Sequence, residues 1–254
     1  MATPTDLDTL VSGLLQRHAS PLSQAELRRS LRALSMRYVE GRATISSRSP
    51  LDTAGKRAAF AVFYGPLHFV TVRAIIGALS LGDRAFDTII DLGCGTGMAS
   101  AAWALATDSQ PALMGFDRNQ WAVAEARWTW WALGLRGRAT RTDLLAGLAQ
   151  VRRGRLERTA ILAAWSVNEL PAAARGDLLN ALRLLARRGA TVLVIEPIAK
   201  RAAPWWPEWE TAWGEFGGRA DTWTLPNDLP AALATLDREA GFDRSALKAR
   251  SLLA

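Results

Sequence analysis

The feature that most constrains this chain is one short run, Thr88-Ile-Ile-Asp91-Leu-Gly93-Cys94-Gly95-Thr96-Gly97. Apolar β-branched residues followed by glycines at alternate positions spell a strand that turns sharply into a helix. Such glycines permit positive φ and leave bare backbone that a ligand can approach closely. From residue 86 onward, short β-rich runs alternate with helical stretches, the strands falling at Thr88–Leu92, Ala112–Asp117, Ala139–Asp143, Ala160–Val167 and Ala190–Glu196. That alternation predicts an α/β fold with a mostly parallel sheet covered by helices on both faces.

Length and composition narrow the class. The chain has 254 residues, 49% of them apolar, enough for one main core. The best candidate for a membrane span, residues 60–81, is interrupted by Pro66, His68 and Arg73, so none is expected. The N-terminus carries Asp6 and Asp8 and shows no signal or transit pattern, which predicts a cytoplasmic protein. One cysteine and two histidines exclude a disulfide framework and predict no metal site. The net charge of +7 suits acidic partners, although 28 of the 31 basic residues are arginine, a bias a GC-rich genome can produce by itself.

The positive charge is unevenly placed. Residues 17–48 hold seven arginines against Glu26 and Glu40, and residues 136–158 hold seven against Asp143 and Glu157. In the first segment Ser23-Gln-Ala-Glu26 reads as a capping box, with Leu27, Leu31, Leu34 and Tyr38 at helical spacing behind it. The pattern predicts a helix of about 18 residues ending near Gly41. Arg28, Arg29, Arg32 and Arg37 fall off its apolar stripe, as a solvated face or as a contact to nucleic acid. After a loop at 44–50, a second helical stretch runs from Ala54 to about Ser80 with a predicted break at Gly65-Pro66. Residues 1–82 are thus expected to form a helical cap ahead of a main domain at 83–254.

The chemistry gathers at the strand ends. A dinucleotide fingerprint wants its third glycine one position later than Gly97 and a small residue where Met98 stands. Asp91 also makes a poor neighbour for pyrophosphate. A cationic ligand fits better, and S-adenosylmethionine (SAM) offers an ammonium and a sulfonium. Asp117, 26 positions after Asp91, closes the next strand, where a carboxylate can accept from both hydroxyls of a ribose. Asp143 closes the third and can accept from an adenine amino group. Each acid alone could be an ordinary helix N-cap; three in register with the glycine loop match the three polar parts of one cofactor.

The fourth strand ends in Trp165-Ser-Val-Asn168-Glu169-Leu-Pro171, beside the expected reacting centre. Trp165 could pack on adenine or on the sulfonium, a cation–π contact of about 0.5–2 kcal/mol, or serve as a core tryptophan. Asn168 and Glu169 are the candidate catalytic pair, able to orient or deprotonate an acceptor; Glu169 could equally cap the following helix. Tyr64 and His68 are candidate lid residues from the cap. Trp205, Trp206, Trp209, Trp213 and Trp223 are read as packing a helix onto the sheet edge rather than stacking on bases.

These motifs resemble the class I SAM-dependent methyltransferases over about residues 86–200. The resemblance implies a Rossmann-like sheet of seven strands, with Asp91, Gly93, Gly95 and Gly97 around the methionine portion, Asp117 on the ribose and Asp143 at the adenine. Cys94, Arg118 and Leu144, beside these positions, join the implied cofactor set. Asn168 lacks the following Pro-Pro of enzymes that methylate exocyclic base amines, and Cys94 lies where it cannot serve as a cytosine-attacking nucleophile. A narrower resemblance rests on Leu27–Glu40, Arg57–Pro66, Trp165–Leu170 and Val194–Pro197. These patches are similar to bacterial relatives of the methyltransferase-like factors of the mitochondrial small ribosomal subunit. That likeness implies ribosomal RNA or an assembling small subunit as partner, met by the arginine-rich segments. With Cys94 alone, no iron–sulfur cluster is implied. A SAM-binding assembly factor without transferase activity and a small-molecule O- or N-methyltransferase are the two alternatives.

Overall fold

The computed structural model describes residues 4–39, 51–151, 156–199 and 203–254. Seven strands form one sheet: β1 Thr88–Leu92, β2 Ala112–Asp117, β3 Gly137–Arg141, β4 Thr159–Ala164, β5 Thr191–Glu196, β6 Arg219–Leu225 and β7 Leu247–Leu253. Their order is β3-β2-β1-β4-β5-β7-β6. The first five are mutually parallel, and β7 runs antiparallel to both of its neighbours. The order reverses between β1 and β4, the switch point where such sheets bind ligands beyond the strand carboxyl ends. β1 and β2 lie where the alternating pattern predicts them. β3 ends two residues early and β4 three residues early, because the chain turns before Asp143 and at Trp165 to start the next elements. The two C-terminal strands alternate exposed polar and buried residues too irregularly for the sequence to place them.

Side-chain alternation along the strands makes two cores. Ile89, Leu113, Ala160, Leu162, Leu193 and Ile195 face one side; Ile90, Leu92, Ile161, Ala163, Val192 and Val194 face the other. The second side is covered by α7 Leu144–Val151, α8 Ala172–Arg187 and α9 Trp206–Glu215. Trp205, Trp206, Trp209 and Trp213 are buried there, so these tryptophans pack α9 onto the sheet as expected. Trp223 bonds its indole N–H to Ser251 Oγ across the β6–β7 pair at 2.9 Å.

The first side carries α5 Met98–Ala104, α6 Gln120–Ala132 and α10 Ala231–Glu239, together with the N-terminal helices α1 Pro4–Leu14, α2 Gln24–Val39, α3 Ala54–Ala59 and α4 Gly65–Ala78. Leu7, Leu14, Leu31, Phe63 and Val72 therefore share one core with Ile89 and Trp103. The capping box forms: Ser23 N–H donates to Glu26 Oε2 at 2.8 Å and Glu26 N–H to Ser23 Oγ at 3.3 Å. Of the helix arginines, Arg29 is exposed, whereas Arg32 fastens α2 to the end of α10 through Ala240 O at 3.0 Å. The predicted end near Gly41 lies outside the described residues, as does the loop at 44–50.

The predicted break at Gly65-Pro66 takes another form. α3 passes into α4 through one widened π-turn, Phe60–Tyr64, and Gly65 N–H donates to Phe60 O. Proline removes a donor and crowds the preceding turn, and a π-turn absorbs both without reversing the chain. The whole run Ala54–Ala78 is long and apolar enough to cross a membrane, with mean hydropathy 1.5, yet 72% of that window is buried inside the protein. It is a core helix, and its π-turn aims Phe60 and Tyr64 at the carboxyl ends of β1 and β4.

A candidate cofactor cradle and acceptor cavity

One cavity of about 480 Å³ opens above those strand ends, within the usual range for small-molecule sites. The glycine loop forms its floor. Gly93, Gly95 and Gly97 hold φ of 74°, 50° and 76°, so all three use the left-handed conformation that glycine tolerates. A Cβ on Gly93 would come within 2.5 Å of Ser166 Cβ, and one on Gly97 within 2.6 Å of the Trp130 indole. The loop is tied to β2 by Gly93 and Cys94 N–H groups on Phe116 O at 2.8 and 3.1 Å. From behind, Trp130 of α6 donates its indole N–H to Gly97 O at 2.9 Å.

Asp117 stands in the cavity wall at the end of β2. Its Oδ2 accepts from Gly95 N–H at 2.9 Å and its Oδ1 from Asn119 N–H at 2.7 Å. Each oxygen keeps a second lone pair for a ligand hydroxyl. Burial pushes its pKa up, while the bonds from Asn119 and Gly95 pull it down. Asn119, which the sequence reading missed, caps α6 by accepting from Trp121 and Ala122 N–H groups at 3.0 and 3.3 Å. Its signal was present, since an asparagine just before a helical run is a cap.

Of the predicted cofactor residues, Gly93, Cys94, Gly95, Asp117, Arg118, Leu144 and Trp165 line this cavity; Asp91, Gly97 and Asp143 do not. Gly97 instead terminates the loop against Trp130. Asp143 stands exposed outside the wall, and its Oδ1 caps α7 by accepting from Ala146 N–H at 2.9 Å. Thr142 and Leu144 take its place in the wall. Asp91 lies beneath the glycine loop, 1% exposed, where Ser100 bonds to it. The Cys94 thiol is buried and held well above its ordinary pKa by that burial, so it is an inert part of the floor.

Burial raises the Asp91 carboxyl from 3.8 to about 7, with the Ser100 bonds opposing. The folded state therefore binds a proton that the unfolded state has released between those values. Stability from this group is full at the acid end of the window and is lost as pH rises through it. Asp91→Asn is expected to abolish that fall, read as denaturant midpoints at about pH 4.5 and about pH 7.5. An unchanged pH dependence in the variant contradicts this.

The cavity roof comes from the N-terminal helices. The His68 imidazole lies flat on the Trp165 indole, with centroids 3.9 Å apart and planes at 7°. Phe60 meets His68 edge-on at 6.1 Å. Burial pushes His68 down to about 3, which keeps the stacked ring neutral. Tyr64 is 8% exposed, and its hydroxyl donates to Leu31 O at 3.5 Å. Both lid candidates thus stand in the wall. Trp165 holds φ of 56°, a conformation costing a non-glycine residue about 1–3 kcal/mol and concentrated at functional sites. His68 covers one face of the Trp165 indole, so that face is closed to adenine or sulfonium.

Asn168 and Glu169 also line the cavity, on a turn after β4. Glu196, at the end of β5 and fully buried, holds that turn: its Oε1 accepts from Val167 and Asn168 N–H groups at 3.0 and 3.2 Å. The Asn168 side-chain amide donates to the other oxygen, Oε2. Glu196 pairs in register with Arg250 of β7, whose guanidinium lies over the Trp206 ring at 4.5 Å. The sequence showed Glu196 as the polar end of an apolar strand and as part of the Val194–Pro197 patch, with no sign of its partner at Asn168. Among the described residues no cluster of His, Cys, Asp or Glu could hold a metal ion.

The residues fit SAM on their own chemistry. Asp117 presents a two-oxygen acceptor beside backbone that glycines leave bare. Ser166, in the wall, has a buried hydroxyl without a hydrogen-bond partner, and buried polar groups are normally satisfied. Asp91 Oδ2 is likewise buried and unpartnered just beneath the loop.

Fold and site together have the architecture of Rossmann-like SAM-dependent methyltransferases. Within it, residues 75–153 match the family model described as the methyltransferase small domain, a stretch that holds the glycine loop, Asp117 and the third strand. No curated protein matches the sequence. Among solved structures, the mitomycin 7-O-methyltransferase is similar with a TM-score of 0.50 at 16% identity, over 90% of this chain and 66% of its own. A plantazolicin methyltransferase in complex with S-adenosylhomocysteine (SAH) gives 0.49 at 11% identity, over 90% and 96%. The ribosomal protein L11 methylase from Lactobacillus delbrueckii subsp. bulgaricus gives 0.43 at 14%, over 74% and 77%. At these identities the likeness is one of fold.

Proposed function

We propose that this protein is a SAM-dependent methyltransferase acting on an oxygen or nitrogen of a small, planar acceptor held between the glycine loop and the N-terminal helices. The observation that carries the reading is the roof: Phe60, Tyr64 and the His68–Trp165 stack close an aromatic chamber over the strand ends. Bound SAM supplies an activated methyl group on its sulfonium. The chain's residues then have mainly to hold two reactants in line and keep water out, which by itself can supply a large part of the rate. Asp117 and the loop fix the cofactor side. Asn168 and Glu169 serve the acceptor side, orienting its reacting atom and receiving its proton.

A second reading, a base of ribosomal RNA on an assembling small subunit, draws on Arg118 at the cavity and on exposed Arg136, Arg138 and Arg141 along edge strand β3. An RNA target brings a strong salt dependence of binding; a non-catalytic assembly factor would bind SAM and ribosomes and transfer nothing. The experiment is incubation with methyl-labelled SAM and total cell extract, fractionated into small molecules, RNA and protein. Label in the small-molecule fraction is expected. Label confined to RNA, or ribosome co-sedimentation with no transfer, contradicts the small-acceptor reading.

A further inference from the structure

We infer that Glu196 is a positioning residue for the acceptor: it fixes the Asn168 amide so that the side-chain carbonyl oxygen, and not the NH₂ group, is the atom offered to the acceptor. The argument is one of donors and acceptors. Two groups meet the Asn168 side chain from the sheet: Glu196 Oε2, and the main-chain oxygen of Trp165, which lies 3.4 Å from Nδ2. Both can only accept when Glu196 is ionised. Turning the amide over would set its carbonyl against two acceptors inside a buried site. Glu196 cannot turn away, because its Oε1 already holds the N–H groups of Val167 and Asn168.

Ionisation is supported by the surroundings. Glu196 is fully buried, its two oxygens accept from three N–H donors of Val167 and Asn168, and Arg250 pairs in register with it across β5 and β7. The Asn168 NH₂ is therefore spent on the protein, and Oδ1 remains as its free acceptor. Resting on the methyl-transfer reading above, this selects the acceptor class: a hydroxyl, amine or amide carrying hydrogen on or beside the atom to be methylated, rather than a thioether or tertiary amine.

A Glu196→Gln variant tests the point because it is nearly isosteric. To keep the Val167 and Asn168 bonds, the new side chain must point its NH₂ at Asn168, which drives the Asn168 amide to turn over. Adding Asn168→Asp restores an acceptor on both sides: one oxygen of the introduced carboxylate accepts from the glutamine, and the other faces the cavity. The chain has four asparagines, so protein labelled with [¹⁵N]asparagine gives a small set of side-chain amide signals, that of Asn168 identified by its absence in Asn168→Asp. In the wild type this pair is expected to exchange with water at least about tenfold more slowly than that of exposed Asn180. In Glu196→Gln it should exchange as fast as Asn180. Label transfer from SAM to cell extract should fall about tenfold or more in Glu196→Gln, with SAH affinity within about threefold of wild type. The double variant should recover most of it.

A wild-type Asn168 pair exchanging as fast as Asn180 overturns the inference, whatever the transfer assay shows. So does undiminished transfer by Glu196→Gln, or a double variant no better than Glu196→Gln. If the wild type transfers no label at all, the methyl-transfer reading fails, and amide exchange still decides how Asn168 is held.

Discussion

Asp117→Ala is expected to weaken SAH binding by about a hundredfold or more in calorimetry, the largest effect of any single site substitution on the cofactor. The reason is twofold. The carboxylate is the ligand-facing acceptor at the end of β2, and charge-assisted hydrogen bonds each contribute about 1.5–3 kcal/mol. It also holds the loop itself, since its two oxygens accept from Gly95 and Asn119. Asp143→Ala provides the contrast. Its carboxylate is exposed and caps α7, so that variant should lose about 1 kcal/mol of stability and bind SAH almost as the wild type does. Equal losses at the two positions would contradict the site as described.

Trp130→Ala is expected to have the largest effect on stability, about 3–5 kcal/mol, lowering Tm by on the order of 10 °C. Trp130 is 1% exposed and fills the space kept open by three glycines. A Cβ on Gly97, Gly115 or Gly137 would meet its ring at 2.6, 2.7 or 2.4 Å. These glycines come from the cofactor loop, β2 and β3, so one indole wedges the loop against two strands and bonds the loop carbonyl at Gly97. Removing it should both melt the protein earlier and loosen the loop. Trp131→Ala is the control: its neighbour along α6 is 76% exposed, and the same truncation there should change Tm by little. Comparable shifts for the two variants would refute the wedge.

The parts legible from sequence were those where one residue type does one job. Glycines at alternate positions after a β-branched run fixed the turn at 93–97, and an aspartate closing the next strand at Asp117 found the cavity wall. Register was less legible. Three acids at three strand ends look alike in the chain, but Asp91 lies under the loop and Asp143 caps a helix, because a single turn of backbone decides whether a carboxylate faces the cavity or the N–H groups of the following helix. Trp130 and Glu196 were hidden for another reason: their partners lie 33 and 28 positions away along the chain, and no local spacing reports them. The N-terminal helices showed their apolar stripes plainly, yet nothing local told that the Pro66 region would bend through a π-turn and set Phe60, Tyr64 and His68 over the site.

The central claim, that SAM lies across the loop and the ends of β1, β2 and β4, is tested most directly by hydrogen exchange of the backbone with and without SAH. Protection is expected over residues 93–98, 117–122, 142–144 and 165–169, with the β6–β7 pair away from the cavity unchanged. Absence of protection at 93–98 and 117–122, or protection confined to other surfaces at saturating SAH, would contradict the site.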